Sequence, residues 1–417
     1  MPSKIAVFHP GTQHSWQTAL ALQQLKRLEF YATSIFYIPD RWPYRGVHYL
    51  PARLRDRALA EFRRVHHPGL DPARIVTTGS IEWFERIANR LGYRGTARRL
   101  DRIGNRRFAH ALSDRIAAPA PFGLWGFNGS SRDAFAAARQ AGRLCILDRT
   151  TGDWRTFNRD MDGIYDRYRD FFPSADYRIP QWQIDRDDEE YSLADAILTG
   201  SEFAADTVRR NAADRAAAER VRVLNYCFDE HLFGALPPPV LRPHSEPVRF
   251  LVIGQPNVRK GIHLILDAFA RIPASAATLT IVGDLQIPPA VFARYADRVT
   301  YRTTVPRPDV PEIMAKADVL LFPSYFEGSA LSLIEGLAAG LALIQTRNAG
   351  EGVTPECGLL MPEVSEEALY GAVMATIEDR HRLDAWRTAA QGVARRYSFA
   401  NYRSGIAALL DEFEAAR

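Results

Sequence analysis

Glu327 and Glu335, with Gly328 and Ser329 between them, and the pair Arg259-Lys260 far upstream are the residues whose types and spacing best suit chemistry. A carboxylate only accepts hydrogen bonds, so a glutamate suits a vicinal diol on a hexose or a ribose. An arginine beside a lysine suits an anion whose charge grows as a bond breaks, because fixed cations stabilise it most in the transition state. Around Glu327, Val319–Phe322 is a short, wholly apolar run that predicts a buried parallel strand. Pro323 and Ser324 stop it, and Glu327-Gly328-Ser329 is a turn with Ser329 as candidate N-cap. Leu331, Ile334, Leu337 and Ala338 recur at helical spacing, Gly340 is the C-terminal stop, and Ala342 opens another strand. A helix N-terminus after a strand's carboxyl end offers free amides and partial positive charge. A diphosphate would sit over Ser329, Ala330 and Leu331, with Gly328 letting it approach the backbone. One glutamate would hold a hexose and the other a ribose. Two blander readings compete: Ser332-Leu333-Ile334-Glu335 fits a capping box, and Glu327 fits a solvated loop.

Arg259 and Lys260 need a similar platform. Phe250–Ile253 is an apolar strand, Gly254-Gln255 opens the polar loop that ends at Gly261, and Ile262, Ile265, Leu266 and Phe269 make a helix. The N-terminal half starts the same way. Lys4–His9 reads as a strand, Trp16–Leu28 as a helix and Tyr31–Ile38 as a second strand, a βαβ opening for a Rossmann-like sheet. The loop at Gly11 is not a G-x-G-x-x-G, which leaves a nicotinamide site poorly supported. Phe122–Phe127 is a strand ending at Asn128, and Leu144–Leu147 is the next, with Asp148–Thr151 as its carboxyl-end loop.

Composition sets the bounds. The 417 residues are too many for one ordinary core and predict two domains. No apolar run reaches transmembrane length, and the N-terminus runs straight into a strand without a signal-peptide core. Cys145, Cys227 and Cys357 lie far apart and form no metal or redox spacing, so they read as buried thiols in a reducing cytoplasm. The acids from Asp185 to Glu190 read as a solvated helix face rather than a metal site. Net charge is +4, but residues 41–116 hold 17 arginines against seven acids. With Trp42, Tyr44, Trp83 and Phe84, that stretch reads equally as a solvated helix face or as a surface for anionic lipid. No recognised nucleic-acid motif accompanies the charge.

Pro323-Ser324-x-x-Glu327-Gly328, with Glu335 following and then Ala338 and Gly340, resembles the donor-binding signature of the family 4 glycosyltransferases. Ala342 stands where that family usually has proline. Lys260-Gly261 matches the family's K-G, whereas Gln255 stands at its usual arginine, with Arg259 the candidate replacement. The resemblance implies an α/β chain of two Rossmann-like domains facing across a cleft (GT-B). Its expected parts are an acceptor domain over 1–236 carrying the basic helical insertion, a proline-rich hinge over 237–248, a donor domain over 249–396 and a closing helix over 397–417. It also implies a retaining, metal-free hexosyltransferase. The partners are a nucleotide-sugar and a glycan or lipid-linked acceptor, in surface polysaccharide or glycolipid synthesis, on the cytoplasmic side and peripheral to the membrane.

The implied catalytic residues are Glu327, Lys260 and Arg259. The donor set is Gly328, Ser329, Ala330, Leu331, Glu335, Gly254 and Gln255, with Thr303 and Val305 near the base. Gly11, Gln13, His14, Asn128 and Asp148 would line the acceptor side. The family often carries a histidine in the loop at Asn128, and none stands there. No cofactor or metal is expected. The rival readings are a sugar-nucleotide epimerase or other GT-B enzyme, and a non-catalytic nucleotide-sugar-binding subunit.

Overall fold

The computed structural model of the chain describes residues 4–11, 14–39, 41–42, 44–63, 65, 67, 69–77, 108, 111–212 and 215–415. Gln13 and much of the basic stretch, including Ile81, Trp83, Phe84, Ile87 and Leu91, lie outside the described residues.

Thirteen strands of the described residues form two sheets. The first contains β1 (Lys4–Phe8), β2 (Leu28–Thr33), β3 (Ile75–Thr77), β4 (Phe122–Phe127), β5 (Cys145–Arg149), β6 (Ala196–Thr199) and β7 (Val221–Val223), ordered β3-β2-β1-β4-β5-β6-β7. The second contains β8 (Val248–Gly254), β9 (Ala277–Gly283), β10 (Thr300–Arg302), β11 (Val319–Phe322), β12 (Ala342–Thr346) and β13 (Gly358–Met361), ordered β10-β9-β8-β11-β12-β13. Every adjacent pair of the second sheet is parallel. This is the two-domain Rossmann-like fold.

The second sheet shows why these residues choose this arrangement. Phe250, Val252, Val319 and Leu321 point into one apolar layer with Ile265 and Phe269 of the helix Ile262–Arg271. Leu251, Ile253, Leu320 and Phe322 point into the other, against Leu333 and Leu337 of the helix Leu331–Ala338. A strand alternates its side chains, so a strand apolar on both faces needs a helix on each. The helices that follow β8 and β11 therefore depart to opposite faces. Their connecting loops meet beyond the strand carboxyl ends at the one place where strand order reverses, the position at which open α/β sheets bind ligands. Asp318 pins the start of β11: it is buried, accepts from the Arg249 amide at 2.9 Å and pairs with Arg242 at 3.2 Å and Arg387 at 3.0 Å.

Two strand ends differ from the sequence reading. The first helix stops at Gln24 rather than Leu28, and β2 begins at Leu28 rather than Tyr31. Lys26 takes the left-handed position (φ 59°) that usually marks a glycine stop, and the Arg27 amide reaches back to the Leu22 carbonyl at 2.8 Å. The apolar residues Ile35 and Tyr37 pack with Tyr44 and Val65 in a small separate cluster instead. Asp148 and Arg149, expected in a loop, are the last residues of β5.

The chain divides into two compact units, one of residues 1–148, 185–197 and 403–417, the other of 149–184 and 198–402. The prolines 237–239, 243 and 247 fall between β7 and β8, within the second unit. In the first unit Arg27 holds Asp411 at 2.7 Å and Glu414 at 3.2 Å. All three cysteines are free and buried.

Candidate functional site

The loop after β8 is built to present its cations. Asn257 accepts from the Lys260 amide at 3.1 Å and caps the turn Val258–Lys260. Gly261 follows at φ 72°, and a Cβ there would stand 2.3 Å from the Pro323 carbonyl oxygen. Only glycine meets both demands. The loop after β8 thereby lies on the loop after β11, and the Tyr325 amide donates to the Arg259 carbonyl at 2.9 Å. From the other side, Thr346 Oγ1 donates to the Ser324 carbonyl at 2.6 Å and Asn348 Nδ2 to the Tyr325 carbonyl at 2.8 Å. The backbone that carries Glu327 is therefore held from two sides, by the carboxyl ends of β8 and β12.

The three residues expected to be catalytic come together there. Arg259 Nη1 lies 2.7 Å and Lys260 Nζ 3.0 Å from Glu327 Oε1. Arg259 also donates to the Phe326 carbonyl at 2.6 Å, and the Lys260 ammonium sits 4.5 Å from the centre of the Phe322 ring. Burial opposes ionisation of Glu327, but the charges of Lys260 and Arg259 together outweigh it and hold its carboxyl below the usual value. Burial depresses the Lys260 ammonium below its usual value, against the pull of Glu327. The cluster carries a net positive charge, concentrated where the chain order reverses. Glu327 is a member of an ion cluster, not a solvated loop residue.

The intervening donor residues take different places from those expected. Gly328 is buried against the chain itself: a Cβ would stand 2.0 Å from the Thr150 carbonyl oxygen. What approaches its backbone is the Thr150–Thr151 segment, and its own carbonyl accepts from Ser201 Oγ. Ser329 is not the N-cap. Ala330 holds that position, and no side chain caps the helix Leu331–Ala338. The Ala330 amide is committed to the Ala349 carbonyl at 3.1 Å. An anion at this terminus would therefore meet the amides of Leu331 and Ser332, because the Leu333 amide already reaches the Ala330 carbonyl at 2.9 Å.

Glu335 lies on that helix, nearly buried, and the Arg307 guanidinium grips both its oxygens, Nη1 reaching Oε2 at 2.9 Å and Nη2 reaching Oε1. Burial pushes its carboxyl above the usual value, with Arg307 opposing. This pair replaces the capping box as the alternative to a ribose contact. Gly254 ends β8 at φ 126°, and Gln255 is exposed beyond it. Thr303 is exposed past the edge strand β10, and Val305 packs, partly buried, against the apolar layer that contains Leu333 and Leu337.

In the first unit, the carboxyl ends of β1, β4 and β5 gather a second cluster. His14 Nε2 lies 3.4 Å from Asp148 Oδ2, which Trp125 Nε1 also approaches at 3.4 Å. The His14 and His9 rings both meet Phe127 edge-on, at 5.3 and 5.1 Å. His9 went unnoticed in the sequence, although it directly follows the apolar run of β1. Its Nδ1 accepts from the Gly11 amide at 3.0 Å, so Nε2 carries the proton. Burial lowers its pKa to about 4. Asn128 closes this corner by donating its amide to the Asp148 carbonyl at 3.0 Å. The acidic run is likewise not solvated throughout: Glu190 is buried and accepts from the amides of Gly129, Ser131 and Arg132. Among the described residues, no group of three or more His, Cys, Asp or Glu is placed to hold a metal ion.

Comparison with known proteins places this geometry. The chain is 31% identical over 147 residues to the lipopolysaccharide glucosyltransferase WaaG of Escherichia coli K12, covering 33% of this chain and 39% of that protein. It spans about two fifths of the length of the curated relatives it matches. Its fold is similar to that of sucrose-phosphate synthase from Thermosynechococcus elongatus (TM-score 0.66, 17% identity, 100% of each chain). It is similar also to Anabaena HepE in complex with UDP-glucose (TM-score 0.61, 13% identity, 98% and 99% of the two chains). Residues 247–379, which carry β8 to β13 and the Arg259–Lys260–Glu327 cluster, match the model of the glycosyl transferases group 1.

Proposed function

We propose that this chain is a retaining glycosyltransferase of family 4 type, moving a sugar from a nucleotide-sugar to a glycan or lipid-linked acceptor in surface polysaccharide or glycolipid synthesis. The observation that carries this reading is the convergence of Arg259, Lys260 and Glu327 at the strand-order reversal, inside the segment that matches the glycosyl transferases. Arg259, Lys260 and the amides of Leu331 and Ser332 receive the donor diphosphate. They stabilise the charge that develops on it as the glycosidic bond breaks. Glu327 holds both cations until the phosphate arrives and then aligns the sugar. Glu335, with Arg307, faces the ribose. His14 and Asp148 belong to the acceptor side. The reaction needs no metal, because fixed cations and helix amides take the place of one; undiminished turnover in excess chelator is the expected result.

The test is thermal-shift binding against UDP-, GDP-, ADP- and dTDP-sugars and the free nucleotides, for wild type and Glu335→Ala. UDP-sugars head the panel because HepE carries UDP-glucose. A ligand that stabilises wild type but not the variant supports the donor site at this helix; no shift with any nucleotide sinks it. A second reading concerns where the protein works. Trp42 (65% exposed), Tyr49 (85%) and Leu54 (53%) are exposed, and the Arg45 guanidinium lies 5.2 Å from the Trp42 ring. Exposed rings with arginines suit the headgroup level of an anionic membrane. No helix of the described residues is long and apolar enough to cross one.

A further inference from the structure

Beside the ion cluster the second unit holds a cavity of about 330 Å³, walled in part by Arg259 and Glu327. Its polar wall is Thr150, Arg259, Glu327 and Ser329. Its apolar wall is Trp154, Phe157 and Phe326. The rings form one preassembled surface. Trp154 and Phe326 lie near-parallel with centres 6.0 Å apart, and Phe157 meets them edge-on at 5.6 and 5.4 Å. Phe326 is fully buried and wedged against Gly152, where a Cβ would stand 2.7 Å from its ring. Trp154 is half-buried and lines the cavity, with the Arg149 guanidinium 5.3 Å from its ring centre.

We propose that this cavity is a monosaccharide subsite in which Trp154 is a specificity-determining residue, taking the C–H face of the transferred hexopyranose while Glu327 and Thr150 hold its hydroxyls. A pyranose is the ligand class with an apolar face and a rim of hydroxyls, and this cavity opposes an aromatic wall to a hydroxyl-and-carboxylate wall. Its volume is at the bottom of the range of about 300–1,000 Å³ for ligand pockets, which suits one sugar ring and not a whole nucleotide-sugar. The inference rests on the donor reading above and adds to it a segment, Thr150–Phe157, that lies outside the family match.

The experiment is calorimetric titration of wild type, Trp154→Ala and Trp154→Phe with UDP, UDP-glucose, GDP and GDP-mannose. Wild type binds the sugar nucleotide of its preferred base more tightly than the free nucleotide. In Trp154→Ala the affinity for the free nucleotide stays within about twofold while that for the nucleotide-sugar falls roughly tenfold, the worth of one ring contact. Trp154→Phe recovers most of the loss. Equal affinities of Trp154→Ala and wild type for the nucleotide-sugar would overturn the subsite. So would an equal fall for nucleotide and nucleotide-sugar, since Trp154 would then only support the loop. If wild type binds none of the four, nor any nucleotide or sugar nucleotide of the ADP and dTDP series, the donor reading itself fails and the subsite with it.

Discussion

Glu327 has two cations on one oxygen, and that arrangement fixes what each residue of the cluster does when changed. Lys260→Ala leaves Glu327 paired with Arg259 at 2.7 Å, so the fold keeps its buried ion pair. Turnover should fall roughly 10²–10³-fold, as for loss of one charge-stabilising donor in an active site, with the melting temperature nearly unchanged; wild-type turnover would remove Lys260 from the site. Glu327→Gln acts through Lys260. Burial already holds that ammonium below its usual value, and Glu327 is the charge pulling it back up. Without the carboxylate it loses its proton at lower pH. The basic limb of the kcat profile should move to lower pH in Glu327→Gln, and a limb that stays put or moves up would contradict the proposed coupling. The glutamates, Arg259 and Lys260 were readable in sequence because few residue types serve an anion or a diol. Arg307 and His9 were not: one lies in an unpatterned turn, the other ends an apolar strand, and only the fold shows what each faces.

Elements convert those residues into a site through close approaches that admit no side chain. Gly261→Ala would need a left-handed alanine and would set its Cβ against the Pro323 carbonyl. Strain of this kind costs on the order of 1–3 kcal/mol, and relief requires the β8 and β11 loops to separate. The variant should therefore lose both stability in urea melts and nucleotide affinity; loss of neither would mean that the loops are not coupled at this contact. A different device holds the helix Arg132–Gln140, whose N-terminal amides rest on Glu190. Burial pushes the Glu190 carboxyl up to about 7 from an ordinary 4.5. A folded-state value above the unfolded one favours the folded protein at low pH, and the contribution is lost as pH rises from about 4.5 through 7. At 1.36 kcal/mol per unit it amounts to about 3 kcal/mol. His9, lowered to about 4 by burial, works in the opposite sense, losing stability as pH falls below 6.5. Comparing wild type with Glu190→Gln isolates the first effect. Wild type should lose more stability than the variant between pH 5 and 7.5, and parallel pH profiles would show that Glu190 stays ionised throughout. Element type was legible wherever apolar runs were short and bounded, as at β4, β8 and β11. The stop at Lys26 and the cap at Ala330 were not, because both positions hold residues that ordinarily signal neither.

For the molecule as a whole, the two-sheet fold was legible from short apolar strand runs alternating with helical periods, and its charge is spread unevenly along the chain. Residues 41–116 carry a net +10 in a chain whose total is +4, so the remainder is net acidic. An anionic plane attracts the basic stretch and repels the acidic remainder. Each arginine near anionic lipid contributes about 1 kcal/mol, within a Debye length of about 10 Å at 0.1 M salt. Exposed Trp42, Tyr49 and Leu54 would add apolar contact at the headgroup level. The two contributions separate experimentally. The full-length protein should co-sediment with vesicles containing phosphatidylserine at low salt and much less with pure phosphatidylcholine, and raised salt should release most of it. The triple variant Trp42→Ala, Tyr49→Ala, Leu54→Ala keeps every arginine, so it should retain the salt dependence while binding more weakly at each salt concentration. Equal binding to both vesicle types would refute the electrostatic component, and equal binding by the variant would refute the apolar one. No binding by wild type at low salt would reduce the basic stretch to a solvated surface.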